Sequence, residues 1–158
     1  MSTQVSPRQA RLETWVRFLR AHAAITRQLN ADLIASHELT LSDYEVLLHL
    51  ADAPERALRR IDLADRVLLT PSGITRLLNG LECAGFVERG DCASDGRVVY
   101  ARLTEAGLEK LREASATHLA GVGALFTERF STEELEQLGW LLARLPAAGP
   151  EGPACAAD

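Results

Sequence analysis

Residues 8–36 contain no glycine, and the positions that form one stripe step by three or four: Leu12, Trp15, Leu19, His22, Thr26, Leu29 and Leu33, with Val16, Ala23 and Ile25 widening it. That period predicts a long amphipathic helix of roughly seven turns. A break over residues 37–41 follows. Ser42, Asp43, Tyr44 and Glu45 have capping-box spacing and predict a second helix through Val46, Leu47, Leu48 and Leu50. Residues 52–55 read as a turn, and residues 58–68 as a short helix with Ile61, Leu63, Ala64, Val67 and Leu68 inward. Thr70 then suits an N-cap and Pro71 the first helical position, where a missing N–H costs nothing. The helix they open runs to about residue 84, with Ile74, Leu77, Leu78 and Leu81 inward, and Gly85 stops it. Two short helices joined by a tight turn, the second sharply capped, predict a helix-turn-helix.

After Gly85 the period falls to two. Residues 86–89 and 98–103 read as strands, and the polar stretch 90–97 between them as a loop, so a β-hairpin wing follows the helix-turn-helix. Thr104 caps another long helix, predicted from 105 to about 129. Ser131 and Glu134 repeat the capping-box spacing and open a last helix through Leu135, Leu138, Leu141, Leu142 and Leu145. The final stretch, 146–158, is rich in Ala, Gly and Pro without a period and reads as a disordered tail. The expected fold is therefore mainly α with a small β wing. Residues 40–103 form a winged helix-turn-helix, and residues 1–39 and 104–145 form a helical dimerisation region. Long helices that cannot bury their stripes on so small a module need each other or a second copy, so a twofold homodimer is expected. Its recognition helices, about 34–36 Å apart, would enter successive major grooves of a pseudo-palindromic site.

Composition sharpens this picture. A chain of 158 residues that is 47% hydrophobic can build a real core, and 25% charged residues suit neither a fibrous nor a disordered protein. It has no apolar run long enough to span a membrane and no secretory signal, so a cytoplasmic location with no membrane partner is expected. Cys83, Cys92 and Cys155 are too few and too scattered for a disulfide framework. A net charge of −5 argues at first against a polyanionic partner. Its distribution reverses that reading. Residues 56–102 carry eight Arg (56, 59, 60, 66, 76, 89, 97 and 102) against six acids, whereas both flanks are acidic. Local potential decides where a polyanion docks. No nucleophile elbow, phosphate-cradling Gly loop or paired carboxylates are present, so no enzyme and no cofactor are expected. His22, His37, His49 and His118 form no convincing metal cluster with any Cys.

Several short motifs in order resemble the multiple-antibiotic-resistance regulator (MarR) family of bacterial winged-helix transcription factors. They are Leu39-Thr40-Leu41-Ser42, Leu63-Ala64, Thr70-Pro71-Ser72-Gly73-Ile74-Thr75-Arg76-Leu77-Leu78, Leu81-Glu82 and Gly85-Phe86-Val87-Glu88-Arg89. Asp95-Gly96-Arg97 in the wing and then Leu103-Thr104-Glu105-Ala106-Gly107 complete the set, so the resemblance covers about residues 8–145. It implies a dimeric regulator of double-stranded DNA, a repressor released by a small phenolic or anionic effector. The resemblance places the helix after Thr70 in the major groove, with Ser72, Gly73, Thr75, Arg76 and Asn79 outward. Hydroxyls and N-terminal N–H groups suit phosphate there, and Arg76 or Asn79 can read base edges. In the wing, Arg97 is the candidate for the minor groove, oriented by Asp95, while Arg89 touches phosphate or braces the wing. Ion pairing within the hairpin is the competing reading for Asp95 and Arg97. Gly96 stands where many relatives carry a second basic residue, which weakens that anchor.

The resemblance also implies an effector crevice between the helical region and the winged module. Trp15, His22, Tyr44, Glu45 and His49 are its candidates, with packing in the core or dimer interface as the competing reading. Glu45, Arg76 and Arg89 occupy places similar to those that matter in the urate-responsive branch, but that branch's extra N-terminal helix has no counterpart here. Two alternatives remain open. One is a redox-responsive regulator using Cys83 and Cys92, although Asp91 and Asp95 beside Cys92 oppose a thiolate. The other is a winged-helix protein-interaction module without DNA binding.

Overall fold

A computed structural model describes the backbone of residues 7–67, 69–92 and 95–146, and side chains within those spans except at 7–11 and 91–98. Of the tail expected to be disordered, 146–158, all but Pro146 lies outside the described residues, as does Leu68. Among the described residues six α-helices and three strands occur in the order α1 (Pro7–His37), α2 (Leu41–Ala51), β1 (Ala57–Arg59), α3 (Arg60–Arg66), α4 (Pro71–Cys83), β2 (Val87–Cys92), β3 (Asp95–Leu103), α5 (Glu105–Leu125) and α6 (Thr132–Leu142). The architecture is mainly helical with one small antiparallel sheet, the expected winged helix-turn-helix fold. Among the described residues no helix is long and apolar enough to cross a membrane.

The α1–α2 junction departs from the expected cap. Thr40, not Ser42, caps α2: its Oγ1 accepts from the Asp43 N–H at 3.1 Å, and its own N–H donates to Asp43 Oδ2 at 2.8 Å. Both Thr40 and Ser42 are good caps, but Leu41 N–H donates to Asn30 Oδ1 of α1 at 2.9 Å. That bond satisfies an orphan donor of the first turn and draws the helix start back to Leu41.

A second correction concerns residues 58–68. Ala57, Leu58 and Arg59 form β1, paired antiparallel with Arg102, Ala101 and Tyr100, and only Arg60–Arg66 is helical. The wing is thus a three-stranded sheet in the order β1-β3-β2 and not a bare hairpin. A short apolar run is ambiguous in period, and the ladder on β3 decides it. On α3 the buried stripe is Leu63, Ala64 and Val67, whereas Ile61, expected inward, is 64% exposed. The hairpin strands reach into the stretch expected as loop: β2 continues to Cys92 and β3 begins at Asp95, with a register irregularity at Asp91 and Cys92.

α5 ends at Leu125, earlier than the expected residue 129. Phe126 leaves helical geometry, a 3-10 turn spans Thr127–Arg129, and Arg129 Nε donates to the Ala124 carbonyl at 3.1 Å. Phe126 and Phe130 then meet edge to face at 5.6 Å. Ser131 caps α6 in a capping box with Glu134, as the spacing predicts.

The core sits in the winged module and the helices against it. Val46, Leu47 and Leu50 of α2 are fully buried with Leu63, Leu78 and Leu33. α5 adds Leu111 and Ala114. Apolar residues of the first half of α1 and of α6 stay outside it: Leu12, Trp15, Phe18, Leu19, Trp140 and Leu141 are exposed.

Candidate nucleic-acid interface

α4 is built to present one face while the other is held. Thr70 Oγ1 accepts from the Gly73 N–H at 3.1 Å, Pro71 occupies the first turn, and Gly85, at φ +77°, terminates the unit after the Ala84 cap. Ile74, Leu78 and Leu81 are buried and Leu77 is half-buried. Ser72, Thr75, Arg76 and Asn79 are exposed, as expected. Gly73 is not outward in the same sense. A Cβ there would lie 3.2 Å from Thr70 Oγ1, so its lack of a side chain leaves room for the cap. Thr75 donates its hydroxyl to the Pro71 carbonyl at 2.9 Å, which leaves its methyl and an acceptor oxygen for anything that approaches.

The arginine surplus of residues 56–102 is partly spent within the molecule. Arg56 pairs with Glu105 at 2.6 Å, and Arg59 forks onto Asp62 at 2.7 and 2.9 Å. Arg102 lies 4.0 Å from Glu55 and 3.9 Å from Glu88. Arg60 reaches across from α3 to Glu82 and Asn79 of α4. Arg66 and Arg76 are exposed and make no ion pair among the described residues, so the uncompensated positive charge lies on and beside the helix-turn-helix. A count of charges along the chain shows the surplus but cannot show which part is neutralised. Arg89 is exposed on β2. Asp95 and Arg97 fall on β3, and their side chains lie outside the described residues, as does that of Cys92. Cys83 is exposed at the end of α4.

The winged module is tied to α5 at one joint. Thr104 donates its Oγ1 hydrogen to the Gly85 carbonyl at 2.7 Å and accepts from the Gly107 N–H at 3.0 Å, while its own N–H donates to the Phe86 carbonyl at 3.1 Å. One residue thereby joins the turn after α4, the start of the wing and the first turn of the long helix.

The five effector candidates fall into two groups. Trp15 and His22 are exposed on α1 and form one ladder through Phe18, with ring centroids 6.1 and 6.4 Å apart. Tyr44, Glu45 and His49 are on α2. Tyr44 is buried against His118 of α5, ring centroids 4.5 Å apart. Ser115 Oγ donates to the Leu111 carbonyl at 2.7 Å, so the Tyr44 hydroxyl, 3.3 Å away, donates to Ser115. His37 Nε2 and Thr117 Oγ1, at 2.7 Å, link α1 to the same stretch of α5. Burial lowers the pKa of His118 and of His49, and Arg66 lowers that of His49 further against a smaller opposing pull from Asp52. Burial raises that of Glu45. The sequence reading missed His118 as a partner of Tyr44: the two are separated by more than seventy positions, and no local period links them.

A model of the MarR family matches residues 37–98, the stretch that holds α2, the helix-turn-helix and most of the wing. The HTH-type transcriptional repressor YetL of Bacillus subtilis is 33% identical over 115 residues, covering 70% of this chain and 68% of that protein. AbsC, a MarR family transcriptional regulator from Streptomyces coelicolor, superposes with a TM-score of 0.79 at 30% identity, covering 89% of this chain and 93% of its own. Sco3205, a MarR family regulator from the same organism in complex with DNA, gives a TM-score of 0.80 at 27% identity over 90% of this chain and 88% of its own. The family model, the 30% identical MarR-family structure and the winged helix-turn-helix built from α3, α4 and the three-stranded wing agree: the chain belongs to the MarR family of winged helix-turn-helix transcriptional regulators.

Proposed function

We propose that the protein is a homodimeric repressor that binds a pseudo-palindromic duplex through α4 and the wing, and releases it when a small phenolic or anionic effector binds. The observation that carries this reading is α4 itself. Its inner face is locked in the core, and its outer face offers Ser72, Thr75, Arg76 and Asn79 beside uncompensated charge. A rigid, correctly capped helix with hydroxyls at its N-terminus and an unpaired guanidinium further along suits a major groove. Gly73 backs the cap, Arg89 contributes charge from β2, and Arg97 with Asp95 sits on the hairpin strand that approaches the minor groove. The DNA complex of Sco3205 and the repressor YetL support the reading by similarity.

In this division residues 40–103 recognise DNA, and residues 1–39 and 104–145 pair two copies. The effector crevice lies where α1, α2 and α5 meet. Tyr44, Glu45 and His49 supply its polar side, whereas Trp15 and His22 form a separate exposed group on α1 that belongs with the surface between copies. A ligand there acts by favouring a different separation of the recognition helices, which requires a differential affinity for the two arrangements.

A mobility-shift series on the DNA flanking the protein's own gene tests the interface. Affinity is expected to fall steeply with salt, because phosphate neutralisation releases counterions. Arg76→Ala should lose about 1–3 kcal/mol of binding, whereas Arg97→Ala should weaken binding and lower the salt slope by about one. If Arg76→Ala binds as tightly as the parent at every salt concentration, α4 is not the reading helix.

A further inference from the structure

α4 is fastened to α5 through two backbone carbonyls. In the turn after α4, the Gly85 N–H donates to the Glu82 carbonyl and the Phe86 N–H to the Leu81 carbonyl, each at 3.0 Å. Residues 85 and 86 are therefore held to the last turn of that helix. Their own carbonyls bond to the start of α5. Gly85 accepts the Thr104 hydroxyl at 2.7 Å, and Phe86 accepts the Thr104 N–H at 3.1 Å. Thr104 Oγ1 also accepts from the Gly107 N–H at 3.0 Å, and Gly107 passes so near the Phe86 carbonyl that no Cβ fits between them.

The other contacts that α5 makes with the winged module are of a different kind. Leu111 and Ala114 bury apolar surface in the core, which stabilises without favouring one direction. Arg56 pairs with Glu105 at an exposed site, and the Lys110 ammonium lies 5.8 Å from the centre of the Phe86 ring. Both are weak in water. Hydrogen bonds fix angles where apolar packing allows sliding. The angle between α4 and α5 is thus set at Thr104.

That angle matters because α4 is a lever. Its 13 residues span about 20 Å, and Ser72, Thr75 and Arg76 lie toward the end away from the joint. A swing of about 10° at the joint moves that end by about 3.5 Å, roughly the rise of one base pair.

We infer that Thr104 is a positioning residue for DNA binding: its hydroxyl bond to the Gly85 carbonyl fixes α4 against α5, and so fixes the half-site spacing that a dimer accepts. The inference rests on the proposed homodimer with α4 in the major groove. Thr104 itself touches no DNA. It acts through the angle of a helix that does.

The test uses the full-length protein on duplexes carrying two copies of the half-site it selects from a randomised library. One base pair is added or removed between the copies, and affinities are compared as ratios. The parent should prefer one spacing over its neighbours by on the order of tenfold, the cost of twisting or bending DNA to fit. Thr104→Asp keeps an acceptor for the Gly107 N–H and remains a good N-cap, but it has no hydrogen to give Gly85. Its preference should fall by about threefold or more, because a loosely held α4 follows either spacing at little cost. Any even loss of affinity from the added charge cancels in the ratio. Thr104→Ser keeps both bonds and should keep the parent's preference. Urea unfolding of each variant shows that it is folded.

A folded Thr104→Asp with the parent's preference overturns the inference, because the bond to Gly85 then sets no spacing. So does Thr104→Ser that loses the preference, since the methyl group and not the hydroxyl would then hold the joint. A parent that binds every spacing equally overturns it while leaving DNA binding in place. A parent that binds no duplex removes the DNA-binding reading, and this inference with it.

Discussion

Gly107 sits where the first turn of α5 passes the chain that leaves Gly85. A Cβ at Gly107 would overlap the Phe86 carbonyl oxygen and come within 2.8 Å of Leu103 Cδ1. Backbone cannot give way as a side chain can. Gly107→Ala is therefore expected to destabilise the protein by about 2–3 kcal/mol, despite the better helix propensity of alanine. Gly121 on the same helix makes the control. Its added Cβ would meet Leu29 Cδ2 at 2.7 Å, the far end of a flexible side chain. Gly121→Ala should change stability by less than about 1 kcal/mol, because the propensity gain offsets a small rearrangement. Urea unfolding of the two variants checks both, and equal effects would show that the α5 joint is looser than Thr104 makes it. At this scale Gly107 is visible in the sequence as one position in Leu103-Thr104-Glu105-Ala106-Gly107, but its steric reason is not: the atom it makes room for is twenty-one positions away.

Between elements, the contact of α2 with α5 and the end of α2 beside Arg66 make stability depend on pH. His49 and His118 are both held below the ordinary imidazole range, chiefly by burial. A lowered histidine pKa means that the unfolded chain binds the proton more readily than the native one. Stability is then complete above the ordinary range and is lost as pH falls through it. Glu45, raised by burial, acts in the opposite sense: the native state holds its proton longer, so its contribution is lost as pH rises through the carboxylate range. The two effects lie in different windows. Between about pH 8 and pH 5 the imidazoles dominate, and the urea midpoint should drop on acidification. The double variant His49→Gln, His118→Gln should flatten that slope, and a parent midpoint that is level across this range would contradict the burial of both rings. The helices carrying these groups are legible from period and caps alone. Their partnership is not, because Tyr44 meets His118 only once α5 returns across α2. The same limit explains β1: Ala57, Leu58 and Arg59 have too few residues to show a period, and their strand exists because β3 offers it hydrogen-bond partners.

For the whole molecule, the decisive feature is where the apolar surface is left over. Leu12, Trp15, Val16, Phe18 and Leu19 on α1, with Trp140, Leu141, Leu142 and Leu145 at the other end of the chain, are exposed. Side chains of this size scattered singly are ordinary, but runs on two neighbouring turns and on a terminal helix suit an interface between copies. Sedimentation equilibrium should give a dimer. Trp15→Glu combined with Trp140→Glu should weaken it by tenfold or more, on the order expected for removing large aromatic anchors and burying a charge in their place. Deleting residues 146–158 should leave the dimer intact. A stable monomer at working concentrations would remove the twofold arrangement from the proposed mechanism.

The sequence alone determined the elements whose signals are local. A long stripe without glycine makes α1, Thr70 with Pro71 and Gly85 bound α4, and Ser131 with Glu134 starts α6. These rest on the helical period and on backbone groups that only neighbouring residues can satisfy. Tertiary structure decided whatever depended on competition between distant groups. Asn30 settled which of two capping residues opens α2, β3 turned residues 57–59 into a strand, and acids on other elements neutralised four of the arginines that a linear count offers to DNA. Such outcomes turn on which atoms lie within a few ångströms, and separation along the chain carries no information about that.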